Sequence, residues 1–114
     1  MKHRRPVVER QIQKLKEQQV ALGNLQPGSL SKQYNVCGNP TCRCKGTPPR
    51  KHGPYYQISF TRNGRSSTRF VKARHPPRVR EQLRNHRRLR ELVDRRITLA
   101  TELANITLAE DDEG

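Results

Sequence analysis

The cysteine cluster near the middle of the chain constrains the fold more than any other feature of the sequence. Cys37, Cys42 and Cys44 lie within eight positions, and His52 follows the last of them after seven intervening residues. Structural zinc sites are tetrahedral and take four thiolate or imidazole ligands, which this set supplies. An odd number of cysteines without a recognisable export signal favours reduced thiols over a disulfide framework. The spacing predicts one structural Zn²⁺ on these four residues, with Gly38 and Pro40 forming the turn between the first two.

Three other interpretations of the cluster remain open. His75 is the alternative to His52 as the fourth ligand. His86 falls on a predicted helix, where it is expected on the surface or in the contact between the two helices. Three free thiols beside an unrelated histidine are the simplest alternative to a metal site. A redox pair at Cys42 and Cys44 is the third, although no strand–helix redox scaffold surrounds it.

Positive charge is the second strong signal. The net charge is +14, and residues 62–96 hold thirteen Lys or Arg against three acids, whereas residues 97–114 hold no base and five acids. Concentrated positive charge attracts polyanions, and the arginine fork matches phosphate. We therefore predict binding to a nucleic-acid backbone. The candidate contacts are Arg62, Arg65, Arg69, Lys72, Arg74, Arg78, Arg84 and Arg88.

A β-hairpin is predicted between the cysteine cluster and the second half of the chain. Asn63-Gly64 separates two β-rich segments, and both residues accept positive φ. A two-residue turn places Ile58 opposite Arg69 and Arg62 opposite Arg65. The like charges of the last pair repel unless an anion lies between them, so the tip is either an anion contact or simply solvated.

Two long helices are predicted on either side of this middle region. Val8, Ile12, Leu15 and Leu22 form one apolar stripe over residues 6–23, with Gln19 as a polar interruption. A second helix runs from Pro76 to about Leu108 and is basic in its first half and apolar in its second.

The expected architecture is a small α+β domain. It comprises a zinc knuckle and a β-hairpin flanked by the two helices, which pair as an antiparallel coiled coil. The expected segments of this single domain are an N-terminal helix (1–26), the Cys/His knuckle (27–54), the hairpin (55–72), the long helix (73–108) and a frayed acidic tail (109–114).

Neither catalysis nor membrane insertion is expected. No acidic residue lies in residues 27–61, where the metal would be, so no carboxylate there can act as a general base. The chain also lacks a phosphate-binding Gly-Lys loop, and no segment approaches the ~20 apolar residues of a membrane span. We expect a non-enzymatic protein in the cytoplasm, associated with the nucleoid.

Several motifs resemble a family of short prokaryotic proteins of unknown function. They are Gly28-Ser29-Leu30, Tyr34, the CG-x-P-x-C-R-C segment at 37–44 and the HGPYY segment at 52–56. Members of that family tend to be encoded in mobile elements near recombinases or transposases. The resemblance implies an accessory DNA-binding role, and it places the cysteines and His52 at the presumptive metal positions.

Three functional hypotheses follow. The first is a zinc-stabilised DNA-binding accessory factor of recombination or transposition; duplex DNA is favoured because the few aromatics are expected in the hairpin core. The second is an adaptor that docks its helices onto a larger protein, such as a recombinase, a transposase or a ribonucleoprotein enzyme, or onto a second copy as a homodimer. The third is an RNA-binding component of a ribonucleoprotein.

Overall fold

A computed structural model describes residues 4–113 of the protein. Its elements in chain order are α1 (Arg4–Ala21), β1 (Ser29–Asn35), a short 3₁₀ turn η1 (Arg43–Lys45), β2 (His52–Arg62), β3 (Arg65–Val71) and α2 (Pro76–Glu113). The predicted α+β class is therefore confirmed. Where a single domain was expected, the chain divides into two compact units, which we call the sheet unit (Gln26–Leu83) and the helical unit (α1, its continuation to Leu25, and α2 from Arg84).

The sheet unit is built on three antiparallel strands in the order β1-β2-β3. The predicted hairpin register is confirmed: Ile58 pairs with Arg69, and Arg62 pairs with Arg65. Asn63 and Gly64 have φ values of 53° and 74°, the positive values that a two-residue hairpin turn requires. Positive φ costs little for Asn and Gly, so this dipeptide fixes the pairing of the two strands.

Strand β1 was missed by the sequence analysis, which assigned residues 27–54 to a knuckle without strands. Its segment Ser29–Asn35 is largely polar, and only Leu30 packs against the core. The ladder between β1 and β2 shifts register between Gln33 and Asn35. At this irregularity Gly53 has φ +137°, and a Cβ there would lie 2.8 Å from the Gln33 carbonyl oxygen, so only glycine allows the two strands to approach.

A small apolar core lies on one face of the sheet. Ile58 is 2% exposed and packs with Val79 and Leu83 from the start of α2, with Leu30 and Val71 partly buried around them. Helix α2 begins with Pro76 and Pro77, whose missing N–H groups are tolerated in a first helical turn, and the Val79 N–H donates to the His75 carbonyl at 2.9 Å. The basic first turns of α2 are thereby held beside β3.

The helical unit is an antiparallel pair. Val8, Ile12 and Leu15 of α1 are buried, as their spacing predicts, and Leu92 of α2 is fully buried. Contacts between the helices run in opposite chain directions, since Arg4 donates to Glu102 near one end whereas Asn85 donates to the Asn24 carbonyl at the other.

The two helix boundaries differ from the sequence-based ones. Helix α1 spans Arg4–Ala21 instead of residues 6–23, and α2 continues to Glu113 instead of ending near Leu108. The acidic segment that we expected to fray is helical as far as Glu113. One cause is an ion pair in which Arg5 donates to Glu110 and so anchors the last turns of α2.

Candidate metal centre and basic groove

Four predicted ligand residues, Cys37, Cys42, Cys44 and His52, converge in the sheet unit; we call them the Cys₃His cluster. Cys37 follows β1, Cys42 caps η1, Cys44 lies within η1, and His52 is the first residue of β2. Because Asn35 pairs with His52 in the ladder, strand pairing brings the imidazole beside Cys37, two residues further along the chain. His75, the alternative fourth ligand, is not part of the cluster.

The turn between Cys37 and Cys42 is organised by a residue that the sequence analysis missed. The Asn39 side-chain Oδ1 accepts hydrogen bonds from the Thr41 N–H at 3.0 Å and from the Thr41 hydroxyl at 2.8 Å. The Cys42 N–H donates to the Asn39 carbonyl at 3.2 Å. Gly38 is less important than expected, since a Cβ there would meet no atom within 4 Å. An Asn followed two residues later by Thr, a frequent side-chain-to-backbone turn, was the available signal.

The distances within the Cys₃His cluster match a tetrahedral metal site. Cys37 Sγ lies 3.6 Å from Cys44 Sγ, and Cys42 Sγ lies 3.2 Å from His52 Nε2. All four ligand atoms lie within 4.8 Å of one another. A tetrahedral zinc with Zn–S bonds of about 2.3 Å places its sulfurs about 3.8 Å apart, whereas a disulfide would need about 2 Å. These residues could therefore bind a metal ion, and their thiols are not paired covalently.

Hydrogen bonds and burial within the cluster shift the pKa values of Cys42 and Cys44 in opposite directions. The backbone N–H of Cys44, followed by hydrogen bonds from the Cys37 and Cys44 thiols, lowers the pKa of Cys42 from 9.0 to about 6. For Cys44 the Cys37 N–H, 3.4 Å from Sγ, has the largest single influence and lowers the pKa. Burial and hydrogen bonds with the neighbouring thiols outweigh it, so the pKa of Cys44 is raised overall. Thiolate is the metal-binding form, and this arrangement favours it first at Cys42.

A second candidate site lies between β3 and the start of α2. Arg69, Lys72, His75 and Arg78 line a cavity of about 370 Å³ that we call the basic groove. Arg69 is held in place by donating from Nη2 to the Gln26 Oε1 at 2.9 Å. The chain turns back between β3 and α2, and so brings together three of the eight basic residues that were predicted to contact nucleic acid.

The other five predicted contacts lie elsewhere. Arg62 and Arg65 form the last pair of the hairpin and are both exposed, and Arg74 is exposed in the turn before α2. Arg84 and Arg88 belong to the helical unit, where the Arg88 Nη1 donates to Glu91 at 3.2 Å. The predicted set therefore does not form one continuous surface within the sheet unit.

The outer face of the sheet carries exposed aromatic side chains. Phe70 is 78% exposed and Tyr55 is 42% exposed, and both line a small cavity beside Cys37 and His52. The expectation that the aromatics serve the hairpin core is wrong for Phe70. Its position in β3 points to the face opposite Ile58, a consequence of the two-residue period of a strand.

The charge is divided unequally between the two units. Residues 26–83 hold twelve Lys or Arg and a single acidic residue, Glu81. The remaining residues hold twelve Lys or Arg and nine acids. The excess positive charge is thus a property of the sheet unit.

Among residues 4–113, no helix is long and apolar enough to cross a membrane. Comparison with known families gives one match, in which residues 6–81 fit the model of a domain of unknown function (DUF6788). No curated protein and no solved structure matches the chain.

Proposed function

Since the chain belongs to the DUF6788 family, whose function is unknown, we propose from the site itself that the protein is a non-enzymatic, zinc-stabilised nucleic-acid-binding protein. The observation that carries the proposal is the charge of the sheet unit, with twelve bases against one acid in residues 26–83. A compact unit of that charge attracts polyanions at long range and releases their counterions on binding.

Zinc is the metal that the donor set favours. Three thiolates and one imidazole are soft and borderline ligands, which suit Zn²⁺ and not the oxygen-preferring Mg²⁺ or Ca²⁺. With all four tetrahedral positions supplied by the protein, no position is left for a reacting water. The zinc would therefore be structural: Cys37 after β1 and His52 at the start of β2 would hold it together with Cys42 and Cys44.

We also propose that the protein has no enzyme activity. Glu81 is the one acidic residue in the sequence of the sheet unit, and it is exposed on α2. A two-metal hydrolytic or phosphoryl-transfer site would need several carboxylates as metal ligands. The basic groove instead offers hydrogen-bond donors, of which Arg69 is oriented by Gln26, and such donors position a phosphate backbone and do not transform it.

The basic groove is the proposed anchor for phosphate. Arg69 offers a planar fork that the hydrogen bond to Gln26 already orients, and Lys72 and Arg78 add charge within the same cavity. The pair Arg62 and Arg65 at the hairpin tip is the proposed second contact, because an anion would relieve the repulsion between them. We propose duplex DNA as the target and, from the resemblance to proteins of mobile elements, an accessory role in recombination or transposition.

Single-stranded nucleic acid, including RNA, is a second candidate, and Phe70 is the observation that favours it. An aromatic ring 78% exposed on a sheet face, with Tyr55 on the same face, offers bases a surface for stacking. Hydroxyl groups of Ser59 and Thr68 lie 3.3 Å apart on that face and can contact sugars or bases.

The test is fluorescence anisotropy of zinc-loaded protein with labelled duplex DNA, single-stranded DNA and RNA over a salt series. We compare the triple variant Arg69→Ser, Lys72→Ser, Arg78→Ser with a control that removes the same charge from α1. The control variant replaces Arg10, Lys14 and Lys16 with Ser. Each lost phosphate contact reduces the steepness of the plot of log K against log salt by about 0.9 for duplex DNA. The slope of the groove variant should therefore be less steep by about 2 to 3.

The outcomes separate the candidates. Equal losses in the groove variant and the α1 control would contradict a defined phosphate site. Preference for single strands together with at least about a tenfold loss in Phe70→Ala would replace the duplex proposal by the stacking one. Weak binding to all three ligands would indicate that the positive charge serves to bind a protein partner, such as a recombinase or a ribonucleoprotein enzyme.

A further inference from the structure

Helix α2 carries a second apolar stripe within the helical unit. Its members recur every three or four residues and occupy an arc of about 100° on the helix surface. They are Leu89, Val93, Ile97, Ala100, Ala104 and Leu108. This outer stripe differs from the positions facing α1, where Leu92 is fully buried.

Five of the six members of the outer stripe are exposed, and Leu89 is half-buried. Val93 is 36% exposed, Ile97 58% and Leu108 62%, and both alanines are exposed. Leu89, Val93 and Ile97 line a shallow groove along the helix. Large apolar side chains repeated at helical spacing on a solvent-facing surface indicate an interaction site.

The stripe can pair with the same stripe of a second copy whose helix runs in the opposite direction. If Ile97 lies opposite Ala100 of a second copy in antiparallel orientation, Val93 meets Ala104 and Leu89 meets Leu108. Two of the three pairs then combine a large side chain with an alanine, which lets the helices approach closely. Each contact occurs twice by symmetry, as a twofold interface requires.

The charges favour the same orientation. Within α2, residues 84–96 hold six Arg and two acids, whereas residues 97–113 hold five acids and no base. Antiparallel pairing places the basic half of one helix beside the acidic half of the other, and brings His86 opposite Asp111. A parallel pair would instead place like charges together, which is unfavourable.

We propose that two copies of this chain associate through the outer stripe of α2, antiparallel and with Ile97 opposite Ala100 of the second copy. The interface uses residues of the helical unit alone. The Cys₃His cluster and the basic groove of each copy are not among the residues of this interface. The inference does not depend on nucleic-acid binding.

The test is sedimentation equilibrium of the full chain without nucleic acid, comparing Ile97→Lys with Asn105→Lys. Asn105 is exposed and lies off the stripe, so its variant adds the same charge at a neutral position. We expect the natural chain and Asn105→Lys to dimerise, and Ile97→Lys to weaken the dimer at least about a hundredfold, since a buried lysine costs several kcal/mol. Circular dichroism should show both variants equally helical, because Ile97 is largely exposed within one chain.

The register has its own readout. In a sample that mixes ¹³C-labelled and unlabelled chains, isotope-filtered NMR should show contacts between the methyl groups of Ile97 in one copy and Ala100 in the other. A chain that remains monomeric at NMR concentrations, or a dimer unaffected by Ile97→Lys, would overturn the proposal. Contacts between the two Ile97 residues in place of the Ile97–Ala100 contacts would overturn the antiparallel arrangement.

Discussion

Removing the metal should unfold the sheet unit and leave the helical unit folded. The core cluster of the sheet unit holds three buried apolar side chains, Ile58, Val79 and Leu83, each contributing about 1.5 to 3 kcal/mol, and so about 5 to 9 kcal/mol together. Structural zinc sites contribute apparent binding energies of about 10 to 16 kcal/mol at neutral pH. A zinc ion bound by the Cys₃His cluster would therefore outweigh the apolar core of this unit.

The helical unit does not share this dependence. It has its own buried contacts, with Val8, Ile12 and Leu15 of α1 and Leu92 of α2, and none of the four cluster residues belongs to it. We expect chelation to unfold the three strands together with residues 76–83 of α2, whose packing partners lie on the sheet. The remainder of α2 keeps its partner helix and remains helical.

Amide hydrogen exchange followed by NMR measures both units in one sample. On adding a chelator, the amide of Ile58 should lose its protection, whereas the amides of Leu15 and Leu92 should keep theirs. Returning zinc should restore the sheet, and its stability should rise by about 1.4 kcal/mol for each tenfold increase of free zinc above the dissociation constant.

Two variants complete this experiment. Cys44→Ser removes the buried ligand and should behave like the chelated protein, whereas His75→Gln lies outside the cluster and should retain the metal. A protected Ile58 amide in protein that elemental analysis shows to be metal-free would refute the reasoning, because the small core would then suffice.

Further predictions concern the helical unit, and denaturant unfolding followed at 222 nm tests them. Gln19 Oε1 is buried and accepts no hydrogen bond from residues 4–113, so Gln19→Leu should raise the free energy of unfolding by about 1 kcal/mol; no gain would mean that the atom is satisfied in solution. In the Ile97→Lys background, which removes the proposed contact between copies, Leu92→Ala should cost about 2 to 4 kcal/mol and Val93→Ala less than about 1 kcal/mol. The first side chain is fully buried in one chain and the second is 36% exposed, so equal losses would contradict the assigned faces. The hydrogen bond from Arg4 lowers the pKa of Glu102. The pair therefore stabilises the helical unit at pH values above about 4, the ordinary pKa of a carboxyl group. This stabilisation is lost as the pH falls through the lowered pKa. The difference in stability between the natural chain and Glu102→Gln should therefore vanish in acid, and a constant difference would exclude the ion pair as its cause.

The hairpin and the membership of the Cys₃His cluster were predictable because each depends on a local signal. Asn63-Gly64 fixes a two-residue turn, and the turn alone sets every cross-strand pair from Arg62 back to Tyr56. The three cysteines and His52 were likewise identified by residue type and short spacing. Such signals do not depend on residues distant in the sequence.

Features that depend on distant partners were not predictable in the same way. Strand β1 has a weak pattern of its own, and it exists because β2 pairs with it across the metal loop. The last turns of α2 are acidic and polar, and their helicity depends in part on Arg5 at the other end of the chain. The basic groove requires the turn that brings Arg78 beside Arg69, which no charge count along the sequence can reveal.

The position of the Cys₃His cluster also bears on the order in which the protein folds. All four side chains lie between residues 37 and 52, so they emerge from the ribosome before β3 and α2 do. Contacts between residues close in sequence form fastest, because little chain entropy is lost in closing a short loop. We expect zinc capture to come first and to align Asn35 with His52. The pairing of β1 with β2 then extends from that point. Strand β3 and the first turns of α2 pack against the paired strands afterwards.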